Sequence, residues 1–226
     1  MTTQRLNGKR AIITGGAGGI GIAAGALFAA EGAQVLLVDV DESPLDAAVN
    51  SIGHDAVSYA VADVTQPEQV QGYVQTAIER LGGVDIFLNN AGIEGQINPI
   101  VDYDIASFDQ VMAVNVRGVW LGLKYVMAEM GKGGGGSIMI TSSISGIEGG
   151  SGMSAYVTSK HAVVGMMRSA ALEGAQLGIR VNCVNPAPIE TRMMRSLEEQ
   201  SSPGAAHESK ARIASALPLQ RYGSPE

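Results

Sequence analysis

The sequence predicts an α/β fold in a single domain of 226 residues, built on a doubly wound parallel sheet. Six short apolar runs alternate with longer segments in which apolar residues recur at helical spacing. The apolar runs are almost continuous, as is typical of parallel strands that helices cover on both faces. No internal repeat and no long linker divides the chain, so residues 1–226 are assigned to one domain.

Predicted strands and helices alternate along the chain. The strands are predicted at 10–14, 34–40, 56–63, 84–90, 137–143 and 180–186. The helices are predicted at 20–31, 44–52, 67–81, 104–130 and 154–177. Because ligands of such sheets bind beyond the carboxyl ends of the strands, residues just after each strand are the candidates for a site. The segment 190–218 follows the last strand and mixes helical stretches with Ser, Pro and Gly, which predicts a substrate-binding lid.

The composition argues against several classes of partner. The net charge is −7 and no basic block is present, so we expect neither nucleic acid nor an acidic membrane surface as a partner. No apolar run approaches the ~20 residues that span a membrane. Only 16% of the residues are charged and 46% are hydrophobic, so we expect other subunits to cover part of the surface.

The lone cysteine and the few histidines limit the redox chemistry. Cys183 by itself excludes an internal disulfide and suits a reducing cytoplasm, where we expect the protein to reside. With one cysteine and three scattered histidines, no zinc cluster is visible in the sequence. Redox chemistry in this chain is therefore expected to use an organic cofactor and no metal.

A glycine-rich turn follows the first predicted strand and reads TGGAGGIG (14–21). Glycines allow the backbone to turn tightly and approach a pyrophosphate, while the following helix offers free N–H groups and a positive dipole end. An ordinary glycine-rich turn is the alternative, but the strand before it and the helix after it favour a dinucleotide site. The predicted contacts in this turn are Gly15, Gly18, Gly19, Ile20 and Gly21.

Aspartates end the second and third predicted strands. Asp39 lies 20 residues beyond Gly19, where a carboxylate accepts hydrogen bonds from an adenosine ribose. It would repel a 2′-phosphate, and neither Gly18 nor Val40 supplies an arginine or lysine, so NAD is predicted over NADP. Asp63 suits an adenine contact, and helix capping is the alternative for both aspartates. The predicted cofactor contacts here are Asp39, Val40, Asp63 and Val64.

The fourth predicted strand ends in NNAG (89–92) at the same edge of the sheet. Ala91 and Gly92 would let the backbone lie against a flat ribose, and the Asn89 amide would support the neighbouring strand through hydrogen bonds. A tight turn without a ligand explains the stretch equally well. The predicted cofactor contacts in this stretch are Asn89, Ala91 and Gly92.

Taken together, these motifs resemble the short-chain dehydrogenase/reductase family of the non-extended type. The resemblance rests on TGGAGGIG (14–21), Asp39, NNAG (89–92), Asn115, Ser143 and YVTSK (156–160). It extends over nearly the whole chain and implies a Rossmann-type fold. It also implies that the two longest helices form a dimer interface within a homotetramer. The catalytic set that it implies is Asn115, Ser143, Tyr156 and Lys160.

Tyr156 and Lys160 have a chemical reason to stand four residues apart on a helix. A free tyrosine has a pKa of about 10 and is a poor base at neutral pH unless a cation stabilises its phenolate. Lys160 supplies that cation from the next turn, and it should also hold the cofactor ribose, so both residues are predicted cofactor contacts. Tyr156 would then take a proton from an alcohol, or return it to a ketone. An amphipathic helix start capped by Ser154 is the alternative.

Two further polar residues belong to the implied catalytic set. Ser143 ends the fifth predicted strand, 13 residues before Tyr156, so its hydroxyl can converge with the phenol on one substrate oxygen. Ser142 competes for this role, and the family pattern favours the second serine of the pair. Asn115 interrupts an otherwise apolar helix and needs partners there. The resemblance implies that it holds a water linking Lys160 to solvent, and a satisfied core asparagine is the alternative.

The stretch NPAPIET (185–191) after the sixth predicted strand departs from the family pattern at one position. The resemblance implies that Pro186, Ile189 and Thr191 contact the nicotinamide end of the cofactor. Ala187 stands where relatives carry glycine. A non-glycine residue at positive φ would be strained, so the backbone conformation at this position is in question.

The end of the chain is a second departure. Family members continue past a stretch like RYGSPE (221–226) into one more helix and one final strand. We therefore expect these two elements to be missing from the 226 residues, which would leave one edge of the sheet open.

The residues expected to face the substrate include several methionines, which adapt to irregular apolar shapes. They predict a hydrophobic or cyclic secondary alcohol or ketone, and methionine as core filler is the alternative. The predicted substrate contacts are Glu94, Ser143, Ser145, Met153, Tyr156, Pro188 and Met193. Further candidates are Gln96, Gly149 and Met194.

The predicted function is that of a metal-independent oxidoreductase transferring hydride between NAD(H) and a secondary alcohol or ketone. A 3-oxoacyl thioester reductase is an alternative with the same fold and catalytic set, but it usually prefers NADPH, which Asp39 disfavours. A non-catalytic NAD-binding regulator is the alternative from another class, and the intact Ser, Tyr and Lys set argues against it.

Overall fold

The computed structural model describes residues 4–226 and has a six-stranded sheet at its centre. The strands lie in the order β3-β2-β1-β4-β5-β6, which is that of the Rossmann-type fold. Their bounds are β1 Arg10–Thr14, β2 Gln34–Asp39, β3 Val57–Val61, β4 Ile86–Asn89, β5 Gly136–Thr141 and β6 Ile179–Val184. All neighbouring pairs are parallel, so the predicted doubly wound α/β fold is confirmed.

Helices follow the strands and cover both faces of the sheet. Their bounds are α1 Gly19–Ala30, α2 Glu42–Ile52, α3 Pro67–Leu81, α4 Ile105–Met112, α5 Val119–Lys132, α6 Ser154–Ala175, α7 Arg192–Ser201 and α8 Ala206–Ala216. Apart from the predicted helix 104–130, the elements up to α6 begin and end within two residues of the predicted bounds. Within residues 4–226, no helix follows α8 and no strand follows β6 in the sheet.

The two faces of the sheet explain why the strands are apolar throughout. Successive residues of a strand point to opposite faces, so a strand that is covered on both has no polar side. Ile12 and Leu36 pack with side chains of α3, α5 and α6 on one face. Ile13 and Leu37 pack with side chains of α1 and α2 on the other.

The strand order reverses at the centre of the sheet. From β1 the chain moves outward to β2 and β3, then returns to the other side of β1 for β4 and continues to β5 and β6. The loops that leave the carboxyl ends of β1 and β4 therefore diverge. They leave between them the crevice in which sheets of this type bind ligands.

The long helix predicted at 104–130 contains a π-helical turn. This turn, Ala113–Gly118, separates α4 from α5. Asn115 lies in it and is fully buried. A π turn contains one extra residue, which a hydrophobic pattern with helical period does not reveal, and such turns are frequent at functional sites.

One face of α5 stays uncovered in the monomer. Trp120 is 49% exposed, although the apolar character of the helix predicts burial. The Lys124 ammonium lies 5.3 Å from the centre of the Trp120 ring, and Met112 and Met166 border the same surface. The covering of this face by another subunit, as expected for a homotetramer, stays a prediction.

The start of α1 lies against the end of β1 because Gly21 has no side chain. A Cβ atom at Gly21 would lie 2.2 Å from the Gly15 carbonyl oxygen, which requires the backbone to shift. Gly72, within α3, has nothing within 4 Å of such an atom. Replacement by alanine therefore creates a steric conflict at Gly21 but not at Gly72.

We predict that Gly21→Ala lowers the free energy of unfolding by about 1–3 kcal/mol, the usual cost of forcing extra atoms into a packed site. Gly72→Ala is the matched control and should raise it by about 0.5–1 kcal/mol, because alanine has the higher helix propensity. Urea unfolding followed by circular dichroism compares the two variants. A Gly21→Ala protein as stable as the wild type would contradict this packing.

Candidate active site

A cleft of about 1110 Å³ lies at the carboxyl edge of the sheet, and the loops after all six strands contribute to its wall. Most of the predicted site residues lie on this wall. They are Gly15, Gly18, Gly19, Ile20, Asp39, Val40, Asp63, Val64, Ala91, Gly92, Ser143, Ser145, Met153, Tyr156, Lys160, Pro186, Pro188, Ile189, Thr191 and Met193.

The further candidates Gln96 and Gly149 are exposed and do not lie on the wall. Four predicted site residues lie behind the wall: Gly21, Asn89, Glu94 and Asn115. Gly21 is packed under the Gly15 carbonyl and acts through the backbone geometry of the turn. Glu94 is 8% exposed, and its charge still reaches Tyr156. The other two residues are held by hydrogen bonds inside the domain.

The two adjacent asparagines at the end of β4 have different roles. Asn89 is 2% exposed, and its Nδ2 donates to the Val119 carbonyl at 2.9 Å, so it ties β4 to α5. Asn90, which we did not predict, lies on the cleft wall. Its Nδ2 donates to the Thr14 carbonyl at 3.1 Å, and its Oδ1 accepts from the Thr141 hydroxyl at 3.0 Å. Asn90 therefore holds together the ends of β1, β4 and β5.

The glycine-rich turn fits an anionic group. Gly15 has a φ of +65°, and a Cβ atom there would lie 2.9 Å from Asn90 Nδ2 and 3.0 Å from Ala91 Cα. Gly18 precedes α1, and no side chain caps the N–H groups of the first turn. These N–H groups, together with the positive end of the helix dipole, are the usual ligands of a pyrophosphate.

Asp39 is bonded to the glycine-rich turn and is not the cap of α2. Its Oδ2 accepts from the Ala17 N–H at 3.1 Å, and its Oδ1 accepts from the Val40 N–H at 2.8 Å. The N-cap position of α2 is Asp41. Asp39 is therefore held at the rim of the cleft, next to the turn, where a ribose of a dinucleotide would bind.

Asp63 orders the turn before α3 and is not the cap of that helix, whose N-cap position is Gln66. Its Oδ1 accepts from the Thr65 N–H at 2.8 Å, and its own N–H donates to Gln69 Oε1 at 2.7 Å. These bonds order the turn that leads into α3. Asp63 also lies on the cleft wall, so the predicted adenine contact stays compatible with the structure.

Lys160 is the buried cation of the site. It is 4% exposed, and its Nζ donates to the Thr141 carbonyl at 2.9 Å. Burial lowers the pKa of Lys160 to about 8. A Cβ atom at Gly92 would lie 3.4 Å from Lys160 Nζ and 3.3 Å from Asn115 Oδ1, so glycine at this position leaves room for both groups.

Tyr156 lies in the first turn of α6, and the Lys160 ammonium is 5.5 Å from the centre of its ring. Burial raises the pKa of Tyr156, the Ser143 hydroxyl opposes this effect, and the Glu94 charge adds to it. The phenol is 9% exposed and lies on the cleft wall. Met193 Sδ of α7 lies 4.0 Å from the phenol oxygen, so α7 contacts the hydroxyl.

The two serines after β5 differ in what their hydroxyl groups do. Ser142 is 2% exposed, and its hydroxyl donates to the Lys160 carbonyl at 3.0 Å. Ser143 accepts from the Ser145 N–H at 3.1 Å, which leaves its own proton free to donate. This difference agrees with the family pattern, which favours Ser143.

Asn115 connects the π turn to the loop after β4 and to α6. Its Oδ1 accepts from the Ile93 N–H at 2.8 Å, and its Nδ2 donates to the Ile93 carbonyl at 2.9 Å. The Nδ2 group also donates to the Ser159 hydroxyl at 3.0 Å. The side chain is thus satisfied as a core asparagine would be, and the water relay to Lys160 stays a prediction.

The segment after β6 closes the cleft from the opposite side. Ile189 forms a parallel bridge with Gly223. A Cβ atom at Gly19 would lie 3.2 Å from Thr191 Cγ2, so the start of the lid segment packs over the glycine-rich turn. The one non-glycine residue with positive φ within residues 4–226 is Gln220, and Ala187 therefore escapes the strain considered for it.

Within residues 4–226, no three His, Cys, Asp or Glu side chains lie close enough together to hold a metal ion. None of the helices in this part of the chain has the length and apolar character needed to cross a bilayer.

Known proteins share both the sequence and the fold. A family model described as short chain dehydrogenase matches residues 9–202, and the chain therefore belongs to the short-chain dehydrogenase/reductase family of oxidoreductases. Levodione reductase from Leifsonia aquatica is 41% identical over 229 residues, which cover 99% of this chain and 86% of the relative. Secoisolariciresinol dehydrogenase from Forsythia intermedia is 40% identical over 191 residues, which cover 84% of this chain and 69% of the relative.

Solved structures agree with this membership. The crystal structure of levodione reductase matches with a TM-score of 0.94 and 38% identity, and the match covers 98% of this chain and 87% of that one. The crystal structure of NAD⁺-bound xylitol dehydrogenase matches with a TM-score of 0.89 and 32% identity, over 98% of this chain and 89% of that one.

We predict that Lys160→Met changes how stability depends on pH. The pKa of Lys160 is about 8 in the folded protein against an ordinary 10.5. Below pH 8, Lys160 is protonated in both the folded and the unfolded protein, and the folded protein carries its charge in the interior. Between pH 8 and 10.5, Lys160 binds a proton in the unfolded protein and loses it in the folded protein. The free energy of unfolding of the wild type should therefore rise over this range by about 3 kcal/mol relative to the variant.

Urea unfolding from neutral pH to pH 10.5 measures this difference. Lys124→Met is the matched control, because Lys124 is exposed, and it should keep the wild-type pH dependence. Parallel curves for the wild type and Lys160→Met would show that burial does not lower the pKa of Lys160.

Proposed function

We propose that this protein transfers hydride between NAD(H) and a secondary alcohol or ketone, without a metal. The observation that carries the proposal is the burial of Lys160 beside Tyr156, in a cleft that begins at the glycine-rich turn. Titratable groups with strongly shifted pKa values cluster where proton chemistry takes place. The proposed catalytic set is Asn115, Ser143, Tyr156 and Lys160.

Tyr156 is the group that would move a proton to or from the substrate oxygen. At neutral pH the Lys160 ammonium is charged, because its pKa of about 8 lies above neutrality, and this charge favours the phenolate. In alcohol oxidation the phenolate accepts the hydroxyl proton, and in ketone reduction the phenol donates a proton to the carbonyl oxygen. The Ser143 hydroxyl donates a hydrogen bond to the same substrate oxygen.

The glycine-rich turn and Asp39 would hold NAD. The uncapped start of α1 suits the pyrophosphate, and the Asp39 carboxylate suits the two hydroxyl groups of the adenosine ribose. A 2′-phosphate in the same place would be repelled by that carboxylate. Bound NAD would supply the hydride acceptor or, when reduced, the hydride donor. The NAD⁺-bound structure of a relative, xylitol dehydrogenase, supports the same choice of cofactor.

The substrate is proposed to be hydrophobic or cyclic. Met153, Pro188 and Met193 lie on the same wall as Tyr156, and methionine adapts to irregular apolar shapes. The names of the relatives, a reductase of levodione and dehydrogenases of secoisolariciresinol and xylitol, support an alcohol or ketone. The uncovered face around Trp120 supports a homotetramer, and the lone Cys183 supports a cytoplasmic location.

We predict that the protein forms NADH from NAD⁺ with members of a panel of cyclic and aliphatic secondary alcohols. Tyr156→Phe should lower kcat by about 1000-fold, because a positioned acid or base contributes about 10²–10⁴-fold. Tyr59→Phe is the matched control, since its hydroxyl contacts Glu42 at 3.3 Å on the surface. NADH absorbance measures turnover.

Two outcomes would overturn the proposal. Turnover that survives in Tyr156→Phe would remove the proposed acid and base. Binding of NADH in a fluorescence titration without turnover on any alcohol or ketone would favour the non-catalytic regulator.

We predict that Asp39→Ser shifts the cofactor preference towards NADP. The change removes the charged acceptor to which the ribose hydroxyl groups would donate, and it removes the repulsion of a 2′-phosphate. The ratio of kcat/KM for NAD⁺ over NADP⁺ should therefore fall about 100-fold. Asp55→Ser, in an exposed turn, is the control and should leave the ratio unchanged. A wild-type preference for NADPH would instead favour the 3-oxoacyl thioester reductase.

A further inference from the structure

The Gln200 side chain fastens the lid helix α7 to the loop 93–98, which follows β4. Its Oε1 accepts from the Ile97 N–H at 3.0 Å, and its Nε2 donates to the Gly95 carbonyl at 3.3 Å. The carboxamide therefore pairs with two backbone groups of the loop as a peptide group of a neighbouring strand would. Gln200 is exposed and lies outside the cleft wall, whereas Ile97 lies on it, so the bonds join the exposed side of α7 to the wall of the cleft.

The loop 93–98 is also held by residues outside the lid. Asn115 bonds both backbone groups of Ile93, at 2.8 and 2.9 Å. The Tyr103 hydroxyl accepts from the Gln96 N–H at 3.0 Å. Of these anchors, Gln200 is the one that comes from α7. A movement of α7 would therefore act on the loop through Gln200.

Glu94 lies in the loop between the anchor at Ile93 and the bonds made by Gln200. It is 8% exposed, and its carboxylate acts electrostatically on Tyr156, whose pKa is raised first by burial and further by this charge. The loop 93–98 thus carries a buried acidic side chain.

The lid helix in this structure covers the phenol. Met193 Sδ of α7 lies 4.0 Å from the Tyr156 hydroxyl oxygen. A substrate oxygen that hydrogen-bonds to this hydroxyl needs a position about 2.7 Å from it, which brings the substrate into the space next to Met193. The Met193 side chain must therefore shift when the substrate binds, and the two bonds of Gln200 hold the helix that carries it.

We propose that Gln200 is a positioning residue that latches α7 to the loop 93–98, holding the cleft closed over a bound substrate. The latch itself is independent of turnover, whereas its effect on catalysis rests on the proposed function. One measurement tests whether the latch exists, and a second tests its effect on catalysis.

Hydrogen exchange tests the latch without any substrate. Gln200→Leu removes both bonds, and the Ile97 amide should then exchange about 5-fold faster, because a hydrogen bond of this kind contributes about 0.5–1.5 kcal/mol. Gln200→Glu keeps the acceptor for the Ile97 N–H and should largely keep its protection. Gln75→Leu, an exposed glutamine on α3, is the matched control and should leave Ile97 unchanged. Equal exchange of Ile97 in the wild type and Gln200→Leu would overturn the latch.

Steady-state kinetics test its effect on catalysis. In Gln200→Leu, KM for the alcohol or ketone should rise about tenfold while KM for NAD(H) stays unchanged, since the lost bonds are worth about 1–2 kcal/mol. Gln200→Glu keeps the acceptor for the Ile97 N–H and should largely restore KM. A general loss of structure would instead raise KM for NAD(H) as well.

The possible results are distinguishable. If Gln200→Leu has the same kinetics as Gln75→Leu while its Ile97 amide exchanges faster, the latch exists but does not affect catalysis. This result would overturn the catalytic part of the proposal. A wild type without turnover would refute the proposed function, and the exchange of Ile97 would still decide whether the latch exists.

Discussion

The Lys160 ammonium is buried in the interior of the domain, and the parts of the site are arranged around it. A charge in this position is unfavourable unless polar partners replace water, and its pKa of about 8 reflects what burial costs. The Thr141 carbonyl at the end of β5 accepts one hydrogen bond at 2.9 Å. Gly92 after β4 leaves the space that a side chain would fill. The buried position of Lys160 on α6 therefore depends on how the ends of β4 and β5 are placed beside this helix.

The neighbourhood of Lys160 explains why a polar residue interrupts the long helix. Asn115 reaches from the π turn to Ile93 in one direction and to Ser159, next to Lys160, in the other. A regular helix contains no extra residue at this point and would direct its side chains differently. The π turn thus joins the loop after β4 to the helix that carries Tyr156 and Lys160. In the proposed function, this joint keeps the acid and base in register with the rest of the cleft.

The two halves of the cleft are built by opposite means. On the side of β1 and β2, missing side chains allow close approach: a Cβ atom on Gly15 or Gly21 would collide with backbone or side-chain atoms. On the side of β5 and α6, side chains with shifted pKa values are packed into the interior. Both halves meet where the strand order reverses, and Asn90 ties them together through Thr14 and Thr141. This arrangement brings a surface for an anionic cofactor next to groups that can transfer a proton.

The sequence by itself determined the strands, most helix bounds, the glycine-rich turn and Asp39, because these features depend on local periodicity or on fixed spacing from a strand end. It also indicated Tyr156 and Lys160, which are neighbours on one helix. Only the tertiary structure decided that Asn90 and not Asn89 reaches the cleft, that Asn115 lies in a π turn, and that Gln200 contacts Ile97. Ile97 and Gln200 are 103 positions apart in the chain. Such contacts arise when separate elements pack, and a pattern read along one segment carries no information about them.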